Sequence, residues 1–465
     1  MSLESRDTKT WLHQLGKAMV TATDPQHDEH GKPYQLAYKA EDRPIIPEPS
    51  LFDFDQEESH MGSAAGLALP QIPECAAHLE LLETLYVLRQ RILVSDKFDT
   101  AMSIRPNRET KTGHRGDTKT FKDETLWGRR QVKWPKFVEF AVVRFLAWRE
   151  RLNRGNDPAI TDDNLPPLDV IMVWHAFLLN PLLFRKHCSE ERLFSLRLPW
   201  KCIHNSVNSE EWTFDLTPKA AESFEETFDV DPDLFHDFET WDASSKGWLT
   251  RNLGLGSWRP DASSFPYDGD HPRTVTYAKI FDAFDSDIAK QLRDAVIRQT
   301  AFIDKMNAHM WIRSPALEGT LRRGIDRYQK FCKLFKLSKN KTIVPTLDID
   351  LVWHTHQCTA KYYGQAMNAL VGKFINHDDT IAKGKLGDGF GDTRRLFRVH
   401  FGREYRACGC WDCQALLTEL EKAGDGEVDM VKIASTVQEQ VFYYRAVEWS
   451  RRKKRTLPMR RPLQK

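Results

Sequence analysis

The sequence predicts a mainly α-helical fold built as two duplicated helical halves joined by long irregular connections. Three observations carry this. Apolar residues recur three and four positions apart over long stretches, the spacing of one helix face, while the two-residue alternation of strands is scarce. Segments rich in Pro, Gly, Asn and Asp separate those stretches. One segment also occurs twice: Pro167-Leu168-Asp169-Val170-Ile171-Met172-Val173-Trp174-His175 aligns with Thr346-Leu347-Asp348-Ile349-Asp350-Leu351-Val352-Trp353-His354. Each copy follows an amphipathic stretch, 137–149 in one case and 321–337 in the other, so the repeated unit is larger than the motif.

Taken in order, residues 1–70 mix prolines, acids and short apolar clusters without a sustained period and read as an extended N-terminal arm. The first helical half spans 71–238, with helices expected at Ile72 to Leu93, Trp134 to Asn153, Leu168 to His187 and Leu216 to Phe228, the last opened by Thr217-Pro218. Within it, the polar and basic stretch 99–133 reads as a long surface loop, either simply solvated or binding an anion. Residues 239–275, with Gly254, Gly256, Trp258, Pro260 and Pro266, form a linker between the halves or a loop covering a cleft. The second half, 276–407, carries expected helices at Thr276 to Ala308, Leu317 to Leu337 and Leu347 to Val371. After these, 384–395 reads as a glycine-rich loop opening a helix. Its backbone N–H groups, with Arg394 and Arg395, would hold a phosphate or carboxylate; the alternative is a flexible loop capped by Asp392 or Thr393. Residues 408–465 hold a cysteine cluster, a helix from Val428 to Trp449 and a basic tail through Arg461.

Composition bounds the function. A chain of 465 residues can bury a full core, and 41% hydrophobic with 11% aromatic residues excludes general disorder. Lys and Arg total 67 against 66 for Asp and Glu, so no global field draws nucleic acid or anionic lipid, and such a partner needs a local patch. The first residues lack the apolar core of a signal peptide, and no run approaches the roughly 20 apolar residues of a membrane span. The expectation is no membrane and a cytoplasmic location, with the nucleus as alternative. Eight cysteines in a reducing compartment are free or metal-bound.

Most of the chemistry converges on the second copy of the motif. Pro345 and Thr346 start a helix, and Asp348 and Asp350 place negative charge where the helix dipole favours it. Asp350, His354 and Cys358 then share a stripe, while His356 lies roughly 200° round from His354. A carboxylate facing an imidazole makes a general base or supports a metal ligand; Cys358 would extend the stripe to a nucleophile. The opposing reading is architectural: Trp353 packs in the core instead of touching substrate, and Asp348, His175 and His354 fix neighbouring helices. In the first copy Ile171 and Phe177 replace Asp350 and His356, so a site, if single, belongs to the second half.

Cys408, Cys410 and Cys413 form a Cys-x-Cys-x-x-Cys cluster able to bind zinc, with His400 or a histidine from elsewhere as fourth ligand; reactive or inert thiols are the alternatives. The basic run from Arg451 to Arg461 reads as an RNA or tRNA phosphate contact, a localisation signal or a solvated helix end.

The segment 347–357, its earlier counterpart 168–175, and Thr393 with Phe401-Gly402-Arg403-Glu404-Tyr405 resemble the glycine-rich domain-containing protein-like family of plants and fungi, over roughly residues 75–406. The resemblance implies the fold, and from plant members an association with RNA in growth and stress responses; the glycine-rich tail of those members is not seen in this sequence. The expected function is a soluble enzyme performing proton or acyl/aminoacyl transfer on a small polar or carrier-linked substrate in an inter-half cleft. Asp350, His354 and His356 would act as catalytic groups and Trp353, Arg394 and Arg395 as substrate contacts. The alternatives are a non-catalytic RNA-binding module and a tRNA-dependent aminoacyl-transfer enzyme.

Overall fold

The structure is a computed structural model that describes residues 45–54, 69–101, 104–107, 109–112, 118–121, 123–155, 159–240, 286–338, 342–378, 383–424 and 429–453. Most of the expected arm, residues 241–275 of the expected linker and the tail beyond residue 453 lie outside the described residues.

Helix α1 (Ile72–Val94) is the axis. Pro73 occupies its first turn, and the Gln71 N–H donates to the Glu74 carboxylate at 3.0 Å. Residues 75–85 are buried without a break, although His78, Glu80, Glu83 and Thr84 are among them, so this helix is enclosed on every side and must pair its polar groups internally. It is followed by the short α2 (Asp96–Ala101), an antiparallel hairpin of β1 (Glu109–Thr112) and β2 (Thr118–Phe121), and α3 (Leu126–Arg130). The long loop expected over 99–133 is thus divided among short regular elements, anchored where Arg130 and Lys133 both pair with Asp99.

Helices α4 (Lys133–Arg154) and α5 (Leu168–Leu178) pack as a pair through Phe145 against Phe177 and Trp148 against Trp174. The helix expected to continue to His187 instead breaks at 179–180 and turns by 105° into α6 (Pro181–Cys188), because Pro181 has no N–H to continue the ladder. Next come α7 (Trp200–Ser206), a minimal hairpin pairing 207–208 with 213–214, α8 (Pro218–Phe228) capped by the Thr217 hydroxyl, and α9 (Leu234–Thr240).

Beyond the linker, α10 (Asp287–His309) packs on α1, α4 and α5. Helix α11 (Leu317–Leu337) pairs with α12 (Leu347–Gln357) as α4 does with α5. The helix expected through Val371 breaks at 358–359, where the Thr359 hydroxyl donates to the His356 carbonyl at 2.7 Å, and restarts as α13 (Ala360–Val371). Helices α14 (Lys383–Phe401), α15 (Trp411–Ala423) and α16 (Met430–Arg452) complete the described chain. The fold is mainly α.

One hydrophobic core runs from Leu51 to Tyr405 and takes in both expected halves, so the two motif helices share a core instead of facing each other across a cleft. A small separate cluster built on Trp411, Leu416, Val437 and Val441 lies under α15 and α16.

The correspondence between the motif copies is physical at their shared aspartates. Arg144 Nε lies 2.7 Å from Asp169 Oδ2 at the start of α5, and Arg327 Nε lies 2.6 Å from Asp348 Oδ2 at the start of α12. Each arginine also donates to backbone carbonyls, Arg144 to those of Asp231 and Pro232 and Arg327 to that of Tyr405. The first pair is almost fully enclosed, at 1% and 3% side-chain exposure; the second is looser, at 13% and 18%. Removing one partner of an enclosed pair strands the other charge, so Arg144→Ala should cost about 3–5 kcal/mol, clearly more than Arg327→Ala. Denaturant unfolding of the two variants checks this, and equal losses would refute the ranking.

Candidate functional site

The site is organised by a seam of histidines between α1, α5 and α12. His78, in the second turn of α1, places Nδ1 2.8 Å from the Thr355 hydroxyl and Nε2 2.9 Å from His175 Nε2. Thr355 donates its only hydroxyl proton to the Leu351 carbonyl at 2.8 Å, so it accepts from His78 Nδ1–H. His78 Nε2 then accepts from His175 Nε2–H, which makes the His78 ring neutral; burial does the same for His175. Burial pushes both in that direction, His78 well below the usual imidazole range, with His175 adding to the effect, and His175 itself to about 4.

His354 follows on the next face of α12. Its Nε2 lies 3.1 Å from His377 Nε2 and 3.4 Å from Asp350 Oδ1, and His377 Nε2 is 3.7 Å from that same oxygen. Asp350 is one helical turn before His354, as its spacing requires; His377 arrives from the connection after α13. That connection is held by a relay in which Trp353 Nε1 donates to the Tyr363 hydroxyl at 2.9 Å and the hydroxyl donates to the Ile375 carbonyl at 2.8 Å. The edge of the Trp353 ring meets His377 with centroids 5.0 Å apart, and Phe302 covers His354 at 4.4 Å. Trp353 is therefore buried and orients the His377 connection; no face is left for substrate. Burial holds His354 neutral, well below the usual range, against the opposing charge of Asp350. Burial alone would raise Asp350, but His354 and His377 outweigh it and keep its carboxyl below the ordinary value. Among the described residues Asp350 Oδ1 is buried without a hydrogen-bond partner. Solvent reaches the triad through Asp350, 22% exposed, and His377, 11%, while His354 is covered at 2%.

Several expected site residues lie elsewhere. His356 points to the opposite side of α12, where Nδ1 is 2.9 Å from the Tyr328 hydroxyl and the ring stands edge-on to Tyr363. Burial pushes it to about 3. It does not join Asp350 and His354. Cys358 is the residue that ends α12, enclosed, its thiol raised well above the usual range by burial, so the stripe stops before it becomes a nucleophile.

The glycine-rich loop is also corrected. Helix α14 begins at Lys383 and runs straight through the glycines, so from Gly387 onward their N–H groups are taken up by the helix ladder and are not free to form an anion cradle. Close packing explains the most demanding of them: a Cβ on Gly389 would come within 2.9 Å of the Val344 side chain and 3.2 Å of the Thr342 carbonyl. Arg394 and Arg395 are exposed and pair with Glu404 and Asp392. Thr393 and Tyr405 instead secure the approach to α12: the Thr393 hydroxyl accepts from the Val344 N–H at 3.0 Å, and the Tyr405 hydroxyl donates to the Val344 carbonyl at 2.6 Å.

The sulfur atoms of Cys408, Cys410 and Cys413 lie within 4.8 Å of one another. His400 is on the exposed face of α14 beside Phe401; the histidine against the thiol loop is His309, at the end of α10. A cavity of about 660 Å³ opens here, lined by His309, Arg323, Arg327, Asp348, Cys408 and Gln414 among others. A smaller one of about 260 Å³ adjoins Asp169 and Trp212. Neither is lined by Asp350, His354 or His377. Of the basic run, Arg451 and Arg452 close α16, with Arg452 paired to Glu448; residues 454–465 lie outside the described residues.

Sequence reasoning missed His78, His309 and His377. Each is a lone histidine far from the motif, and no spacing marks it.

Residues 243–365 match the model of the glycine-rich domain-containing protein-like family. Glycine-rich domain-containing protein 2 of Arabidopsis thaliana is 28% identical over 254 residues, covering 53% of this chain and 26% of that protein. Glycine-rich domain-containing protein 1 of the same plant is 26% identical over 285 residues, covering 58% and 29%. The matched region thus spans less than a third of either curated relative. No solved structure matches. Asp350 and His354 fall inside the family match, His377 and the cysteine cluster outside it.

The neutral His78–His175 pair gives a pH dependence with a definite sign. Their folded values lie below the ordinary 6.5, so the unfolded chain binds protons first; the stability is present above 6.5 and is lost as pH falls from there towards about 4. Melting temperature should therefore drop below pH 6.5, before the carboxylates titrate. His175→Gln, which keeps a donor but cannot charge, should flatten that decline; an unchanged slope would contradict the assignment.

Proposed function

We propose, for a chain that belongs to the glycine-rich domain-containing protein-like family, a metal-dependent enzyme whose centre is Asp350, His354 and His377. One observation carries the reading: three potential ligand atoms stand 3.1, 3.4 and 3.7 Å apart. Ligands about 2.0–2.1 Å from a zinc ion are separated by about 3.4 Å in a tetrahedron and by about 2.9 Å in an octahedron. The observed triangle fits the tetrahedron, and two imidazoles with one carboxylate is a donor set of catalytic zinc. Three protein ligands leave a fourth position for water or a substrate oxygen.

The bound ion would supply a hydroxide near neutral pH or polarise a carbonyl, which suits acyl or aminoacyl transfer and proton abstraction on a small polar or carrier-linked substrate. The protein's own part is positioning. Asp350 and His354 are fixed by one helix, and Trp353 with Tyr363 holds the connection that delivers His377. Entry is from the solvent side of Asp350. His356 and Tyr328 act in this reading as core contacts that stiffen α12.

The test uses the full chain purified without chelator, with metal measured by elemental mass spectrometry beside an Asp350→Asn, His377→Gln double variant. About one metal per chain should be lost in the variant, and hydrolysis of a panel of model esters and aminoacyl esters should vanish with it and return when zinc is restored to chelated wild type. Identical metal content in the two proteins would sink the proposal.

A further inference from the structure

The thiol cluster is a separate structure with different donors, and it spans the loop after α14 and the first turn of α15. We infer that Cys408, Cys410 and Cys413 hold a second metal ion, a zinc at the start of the C-terminal helix pair, with His309 at the end of α10, whose ring lies against Gly409, turning in as the fourth ligand and clamping that pair to α10.

Several contacts converge to build this pocket. Trp311 Nε1 donates to the Gly409 carbonyl at 2.7 Å, Gln414 Nε2 to the Cys408 carbonyl at 2.5 Å, and Trp411 Nε1 to the His309 carbonyl at 2.9 Å. These bonds fix the loop backbone on both sides of the cysteines and fasten it to the turn after α10. Cys408 and Cys410 then place their sulfurs 3.3 Å apart. Cys410 is the residue that opens α15, its sulfur 3.5 Å from the Cys413 N–H, so two of the thiols sit where the helix terminus favours thiolate. Gly409 shows how closely the histidine approaches: a Cβ there would be 3.0 Å from the Trp311 ring and 3.2 and 3.3 Å from His309 Cε1 and Nδ1. Only glycine allows the loop to lie against that imidazole.

Three thiolates and one imidazole saturate a tetrahedral zinc and leave no position for water, the pattern of a structural site. The need for one is visible in the packing. Helices α15 and α16 rest on a small cluster separate from the main core, which among the described residues reaches the connection after α10 only through Ala316 and Met310, and a metal at the start of α15 reinforces that junction through ligands from both sides.

Cobalt substitution of the full chain distinguishes this site from the nitrogen and oxygen triad, because only thiolate ligands give a sulfur-to-metal charge-transfer band in the near ultraviolet. The band should appear in wild type and in the Asp350→Asn, His377→Gln variant, and disappear in Cys408→Ser, Cys413→Ser. His309→Ala should weaken the metal by more than about tenfold, and His309→Cys should restore it. In wild type alone, the three thiols should resist alkylation until a strong chelator is added, and the melting temperature should fall on chelation. A protein without the thiolate band, a disulfide between Cys408 and Cys410 in freshly purified chain, or a His309→Ala variant with unaltered affinity and spectrum would overturn the assignment.

Discussion

A fully buried imidazole in the second turn of α1 has two nitrogens to satisfy, and the whole arrangement follows from where His78 finds its partners. One is Thr355 on α12 and the other is His175 on α5, so a single side chain sets the separation of the two motif helices. The rest of α1 repeats the device. Glu80 meets His204 at 2.7 Å, and Glu83 accepts from Asn307 at 2.9 Å and from Arg313 at 2.6 Å. Apolar contacts alone tolerate a helix that slides or rotates by a fraction of a turn. These bonds do not, because each slip leaves a buried polar group unpaired at about 1–3 kcal/mol.

Within eleven residues α12 separates architecture from chemistry. Asp348 belongs to the frame it shares with Asp169, and both are held by arginines from the preceding helix. Asp350, two positions on, lies roughly 200° round the axis and faces His354 and His377. Thr355 faces α1, and His356 faces Tyr328. The helix is thus secured at its start by Arg327, in its body by His78 and at its end by Thr359, which leaves the Asp350–His354 edge as the side with solvent access.

What the sequence revealed follows from the range over which each signal acts. Helical periodicity is local, so α1, α4 and α11 were readable to within a few residues. Pro181 breaks a helix by itself, yet the break at 358–359 depends on a threonine bonding back to His356, which no residue type announces. The glycines of α14 read as a loop because each costs a helix about 1 kcal/mol relative to alanine; what offsets that cost at Gly389 is a close approach to residues 342–344, from a distant part of the chain. Asp350 with His354 was legible because one turn of helix joins them. His377 was not, since only the tertiary fold brings it there. His400 misled for the converse reason: adjacency in sequence does not carry a side chain back across the turn that ends α14.

Precision at the triad rests on its least constrained member. Two of its ligand atoms ride on one helix turn, and their separation is set by α-helical geometry. His377 sits on a connection and can be placed within the about 0.5 Å that a functional centre demands only if that connection is tethered. The buried relay from Trp353 through Tyr363 to the Ile375 carbonyl does this, and it starts on α12 itself, one residue before His354. The helix that carries two of the groups therefore also positions the third. A tryptophan in the motif is explained by this better than by core volume alone, since its indole N–H donates to the phenol that holds the tether. In the first copy of the motif the same position is Trp174, packed on Trp148, and Ile171 stands where Asp350 would be. There the frame persists without a triad to position.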